Sequence, residues 1–172
     1  ICGMRRNKAE MIELLYKAIY IKPDYPEAHN NLGIAFKEKG NLNAAIHSFQ
    51  QALKLNPSFA EYYNNLGISL QEQGDLNAAT NAYQQAIKLR PTFAASYNNL
   101  GIAFKEQGNL NAAINAYQQA IKLNPNFANA LWNLSLVQLL NGDYESGWQN
   151  YNWRWKKKDA TKLHAQTKLT IW

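Results

Sequence analysis

Between residues 26 and 127, apolar positions recur at the spacing of one helix face, and the whole pattern returns every 34 residues. Tyr63, Leu66, Gly67 and Leu70 stand at i, i+3, i+4 and i+7. Leu42, Ala45, Ile46, Phe49, Ala52 and Leu53 mark a second face of the same kind. Each unit therefore predicts two helices. Gly40, Gly74, Gly108 and Gly142 fall between them, where a left-handed residue ends a helix. Asn41, Asp75, Asn109 and Asp143 follow directly and are good N-caps for the next helix. Pro23, Pro57, Pro91 and Pro125 close the units, because proline cannot donate into a continuing helix.

The agreement between units extends to side chains. "NNLGIAFKE" at 30–38 returns unchanged at 98–106, with "NNLGISLQE" at 64–72 between them. Gly33, Gly67 and Gly101 align, as do Phe49, Tyr83 and Tyr117. Gly33 and Ala45 are small enough for paired helices to approach closely. A period in this range marks supersecondary units that stack to bury a shared core. Small residues, aromatics and proline at these offsets make the chain resemble the tetratricopeptide repeat (TPR). That resemblance implies an all-α fold, a right-handed superhelix or α-solenoid of antiparallel helix pairs. It divides the chain into a partial unit at 1–25 holding only a second helix, three complete units at 26–127, a divergent capping unit at 128–157 and a basic tail at 158–172.

Packing accounts for leucine, glycine and alanine in the repeated phrase, but not for its asparagines. Opposite the packed face, each first helix carries a stripe: Glu27, Asn31, Ile34 and Glu38, then Glu61, Asn65, Ile68 and Glu72. The third and fourth units give Ala95, Asn99, Ile102 and Glu106, then Asn129, Asn133, Leu136 and Leu140. An amide offers two donors and an acceptor, so a row of them can hold an extended peptide by its backbone. The TPR arrays of protein O-linked N-acetylglucosamine transferases, which this stripe resembles, carry such an asparagine ladder. The resemblance assigns peptide binding in a concave groove to Asn31, Asn65, Asn99 and Asn133. Asn30, Asn64, Asn98, Ile34, Ile68 and Ile102 complete the candidate site. Four neutral hydrogen bonds contribute only a few kcal/mol, at about 0.5–1.5 kcal/mol each, so the isoleucines are expected to supply side-chain pockets. The basic clamp by which other TPR domains hold a chaperone's C-terminal carboxylate fits poorly, since Glu27, Glu61 and Ile34 stand at its positions.

Composition narrows the function further. Apolar residues make up 47 % of the 172 and charged ones 17 %, enough to bury a core and too apolar for a disordered chain. No apolar run approaches the roughly 20 residues of a membrane span, so no membrane partner is expected. The net charge of +6 is uneven. Residues 154–168 hold six basic side chains against one acid, whereas 26–127 hold seven against six. A nucleic-acid binder carries its charge along the working surface, so none is expected as partner. Cys2 is the single cysteine and permits no internal disulfide. With no signal peptide legible, a cytoplasmic location is expected, although the opening residues read like the middle of a longer protein.

No catalytic motif is legible. His29, His47 and His164 stand singly, without the cysteine or carboxylate cluster that a metal site requires. No phosphate loop or nucleophile motif occurs, so neither enzyme activity nor a cofactor is expected. All five tryptophans lie at or after Trp132. Trp148, Tyr151 and Trp155 are assigned to the core face of the last helix, and Arg154 replaces the small residue at Ala52, Ala86 and Ala120. A terminal cap is the plain reading. "NGDYESGWQNYNWRW" also resembles the last unit of bacterial TPR proteins in which a glycosyltransferase-like domain follows. The expected function is a protein- or peptide-binding scaffold. Its alternative is the acceptor-binding array of a glycosyltransferase whose catalytic domain lies outside this sequence. Met11, Leu14, Leu15, Ala18 and Ile19 form an apolar face without a sequence-adjacent partner, which predicts self-association through residues 9–22.

Overall fold

The computed structural model describes residues 2–151, with side chains from residue 9. The basic tail, Trp153, Arg154, Trp155, His164 and Trp172 lie outside the described residues. Nine helices and no strand form among those described. They are α1 (Cys2–Ile21), α2 (Pro26–Glu38), α3 (Leu42–Leu55), α4 (Ala60–Gln73), α5 (Leu76–Leu89), α6 (Ala94–Glu106), α7 (Leu110–Leu123), α8 (Ala128–Leu140) and α9 (Tyr144–Tyr151). The chain divides after Thr92 into two compact units, α1–α5 and α6–α9.

Local chemistry sets the boundaries, as the sequence predicts. Gly40, Gly74, Gly108 and Gly142 take φ of 82°, 94°, 79° and 84°, values that L side chains rarely adopt. The next residue starts a helix. Asn41 accepts a hydrogen bond from the Ala44 N–H at 3.2 Å, and Asp75 from Ala78 at 3.0 Å. Asn109 and Asp143 do the same for Ala112 and Ser146. These bonds satisfy N–H groups that have no partner inside the helix. At the other end of a pair, Asn56 accepts from both the backbone N–H and the hydroxyl of Ser58 around Pro57, a local turn that stops α3.

In the first unit α2 packs on α3 and α4 on α5, while α3 packs on α4 and α1 on α2. A first helix such as α4 is thereby covered on two sides. This explains why Tyr62, Asn64 and Ser69 are buried, while Tyr63, Leu66 and Leu70 of the expected face are half-buried. The repeating contact inside the pairs α2/α3, α4/α5 and α6/α7 joins a glycine to the aromatic ring of its partner helix. A Cβ on Gly33 would stand 2.7 Å from the Phe49 ring, and one on Gly67 or Gly101 would stand 2.6 Å from Tyr83 or Tyr117. All three rings are fully buried.

The second unit repeats this in α6 and α7 and continues into α8 and α9. Tyr117, Ala113, Leu134 and Val137 form its core. The fourth pair differs from expectation: Trp148 is 60 % exposed, and Gly147 is the buried residue of α9. Ile46, its counterpart in α3, is buried on a helix that α4 packs against. Among the described residues no helix follows α9 to cover Trp148. Tyr151 instead meets Trp132 at 5.1 Å and Trp148 at 5.2 Å between ring centroids.

Candidate functional site

The accessible side of each first helix follows from its packing. With Gly67 held against Tyr83 and Tyr62 turned into the core, the stripe Glu61, Asn65, Ile68 and Glu72 is left accessible on α4. Glu27, Asn31, Ile34 and Glu38 occupy the same register on α2, and none is buried. In the second unit, none of Ala95, Asn99, Ile102 and Glu106 on α6 or Asn129, Asn133, Leu136 and Leu140 on α8 is buried. Every residue of the expected stripe therefore stays in reach of solvent. Asn64 and Asn98, the first asparagine of their pairs, are only 7 % and 6 % exposed.

The asparagine pairs also join one repeat to the next. Asn65 donates its Nδ2–H to Asn30 Oδ1 at 2.9 Å, from α4 to α2. Asn133 donates to Asn98 Oδ1 at 3.1 Å, from α8 to α6, the same bond in the second unit. The first asparagine thus serves the neighbouring repeat, a role that no single helix reveals. Its bond fixes the orientation of the second amide. Asn65 and Asn133 each retain Oδ1 and a further Nδ2–H with no partner among the described residues.

Charges around the stripe are mostly paired within the first unit. Arg90, just past α5, bonds Glu61, and Lys37 lies 3.8 Å from Glu72 of the next repeat. Half-exposed pairs of this kind contribute at most about 1 kcal/mol, but they neutralise charge beside the amides. Among the described residues no group of three or more His, Cys, Asp or Glu side chains could hold a metal ion. No helix described is long and apolar enough to cross a membrane. Two open apolar recesses lie among the described residues. One, of about 660 Å³, lies along α1 between Tyr16, Ile19, Tyr20 and Ile21, with Glu13 and Lys17 at its edge. The other, of about 540 Å³, lies in the second unit between Lys105, Leu110, Leu136, Leu139 and Leu140.

Helix pairs that recur every 34 residues, three of them closed by the same glycine–aromatic contact, define an all-α helical-repeat solenoid. The TPR repeat profile matches residues 35–74, 69–108 and 103–142, and the chain belongs to the TPR family. No curated protein matches it in sequence. Among solved structures, one described as the crystal structure of MamA is 25 % identical, with a TM-score of 0.79 over 97 % of this chain and 98 % of that one. PilF of Pseudomonas aeruginosa is 22 % identical, with a TM-score of 0.81 over 89 % of this chain and 70 % of its own. YrrB, described as a TPR protein with an unusual peptide-binding site, is 17 % identical, with a TM-score of 0.73 over 95 % and 86 %.

Proposed function

We propose that this chain is a protein-interaction scaffold that holds an extended peptide along the asparagine-bearing face of its first helices. One observation carries the reading. Asn65 and Asn133 are oriented by bonds to the preceding repeat, yet each keeps an acceptor and a donor open. A pre-oriented amide loses little side-chain entropy on binding, which makes it a better backbone ligand than a freely rotating one. Ile34, Ile68 and Ile102 are half-buried beside these amides and offer apolar contact to alternate side chains of the peptide. Binding rather than catalysis is the role that such a surface supports.

Changing Asn65 and Asn99 together to Ala is expected to weaken a bound peptide by about 1–3 kcal/mol with helicity retained, since each loses a net hydrogen bond or two. Fluorescence anisotropy with a selected peptide measures the loss, and circular dichroism checks the fold. Gln50 and Gln84 are exposed on the second helices and serve as controls. Equal weakening by their replacement would move the binding surface to the other side.

We also infer self-association through α1, on a narrower face than its sequence suggests. Ile12, Leu15 and Ile19 pack against Leu32, Ala35 and Phe36 of α2, which leaves Met11, Leu14, Tyr20 and Ile21 exposed. Burial of these side chains between copies is the driving force, at roughly 25 cal/mol per Å² of apolar surface. Sedimentation should show a concentration-dependent rise in mass that Leu14→Glu with Ile21→Glu abolishes. A monomer at high concentration would rule this out.

A further inference from the structure

The repeats supply an internal comparison that isolates one lysine. Lys37 and Lys105 are equivalent residues two repeats apart, and so are Glu72 and Leu140. Lys37 faces Glu72 across the junction of its repeat with the next, at 3.8 Å. At the matching junction in the second unit, Lys105 meets the repeat whose equivalent residue is Leu140, and the carboxylate is gone. No carboxylate among the described residues, its neighbour Glu106 included, pairs with Lys105. A recess lies at the same place. Lys105 lines the 540 Å³ cavity whose other walls are Leu110, Leu136, Leu139 and Leu140. Leu140 is 69 % exposed although it ends a helix packed into the unit. Four leucines and one ammonium thus share a small concave site at the end of the asparagine-bearing stripe.

We propose that this recess takes an apolar side chain of an extended partner peptide, with an adjacent carboxylate of that peptide paired to Lys105. The inference rests on the peptide-binding reading above and adds a sequence preference to it, since backbone amides alone read no side chains. The occupant's chemistry follows from the site. Leucine walls accept an aliphatic or aromatic group without unmet polar contacts. The lysine favours negative charge, and no carboxylate among the described residues pairs with it. The Lys37–Glu72 pair shows that this register brings ammonium and carboxylate together. A peptide carboxylate restores in trans what the fourth repeat lacks in cis.

The test uses the whole chain and a phage-displayed library of random dodecapeptides, with winners remade as fluorescein-labelled peptides for anisotropy. Peptides with an aliphatic or aromatic residue within one or two positions of Asp or Glu are expected to dominate. Leu140→Glu rebuilds the internal ion pair in a position where Glu72 is already tolerated, and should weaken these peptides about tenfold. Lys105→Glu should switch the selected neighbour from acidic to basic. Absence of the apolar–acidic pair in the selection, or its persistence unchanged in both variants, overturns the proposal. A wild-type dimer that Leu140→Glu makes monomeric would mean that a second copy fills the recess, and also overturns it. Asn65→Ala with Asn99→Ala separates the two readings. Loss there with no effect of Leu140→Glu leaves the ladder standing without the recess, and the reverse leaves the recess without the ladder.

Discussion

Replacing Gly67 by Leu is expected to destabilise the fold by at least about 3 kcal/mol, at or beyond the upper end of overpacking costs. The Cβ alone would stand 2.6 Å from Tyr83 Cε1, and the remaining side chain has nowhere to go. Tyr83 cannot simply move aside. Its ring is fully buried, and its hydroxyl is 2.9 Å from Gln71 Oε1 on the same helix as Gly67. The expected fall in thermal midpoint is roughly 6–12 °C for a chain of this size. Gly74→Ala supplies the contrast. Its Cβ meets nothing within 4 Å, and only the φ of 94° opposes the change, costing about 1 kcal/mol. A double-mutant cycle with Tyr83→Ala should give a coupling above about 1 kcal/mol, because removing the ring frees the space that leucine needs. A Gly67→Leu melt equal to that of the unmodified chain would show that α4 and α5 do not meet there.

Tyr117 should respond in opposite directions to two substitutions. Tyr117→Ala empties the centre of the second unit's core and is expected to cost about 3–5 kcal/mol. Tyr117→Phe is expected to stabilise by about 1 kcal/mol. The Tyr117 hydroxyl is buried with no hydrogen-bond partner among the described residues. Phe49 fills the same place in the first repeat without a hydroxyl. Tyr83→Phe should instead cost about 1 kcal/mol, since it deletes the bond to Gln71. Burial raises the Tyr117 phenol pKa above its usual value of 10.0, with the nearby Glu106 carboxylate adding to the shift. The fold therefore favours the neutral phenol. Its contribution is intact below pH 10 and is lost as pH rises above that. Tyr117→Phe should flatten this alkaline loss in chemical denaturation curves. If Phe and Ala substitutions destabilise alike, the hydroxyl has a partner and the reading of this core fails.

The division between sequence and tertiary structure is plain in the repeated phrase. Its period and its helix breaks are legible in sequence because each depends on local chemistry or on a fixed offset, whereas the ring that each glycine meets is set by the packed pair. Gly74 must end a helix wherever that helix packs, and Asp75 must cap the next one. Small residues, aromatics and prolines at those offsets carry the resemblance to the TPR repeat, and the repeat profile matches residues 35–74, 69–108 and 103–142. The stripe containing Asn65 is legible too, since helix geometry places residues three and four apart on one face. The burial of Asn64, which the sequence places in the same candidate site, is not. Adjacent asparagines are equivalent in composition and propensity, and only the stacking of α4 against its neighbours buries one and leaves the other accessible. The bond from Asn65 to Asn30 spans 35 residues, and no pattern within one helix announces it. Trp148 shows the same limit: its aromatic character suggests a core position, but burial of that site requires a helix laid across it. Local signals determined where helices begin, end and turn their apolar faces. Tertiary contacts decided which side chains were left over to bind, because exposure belongs to the assembled stack and not to any one repeat.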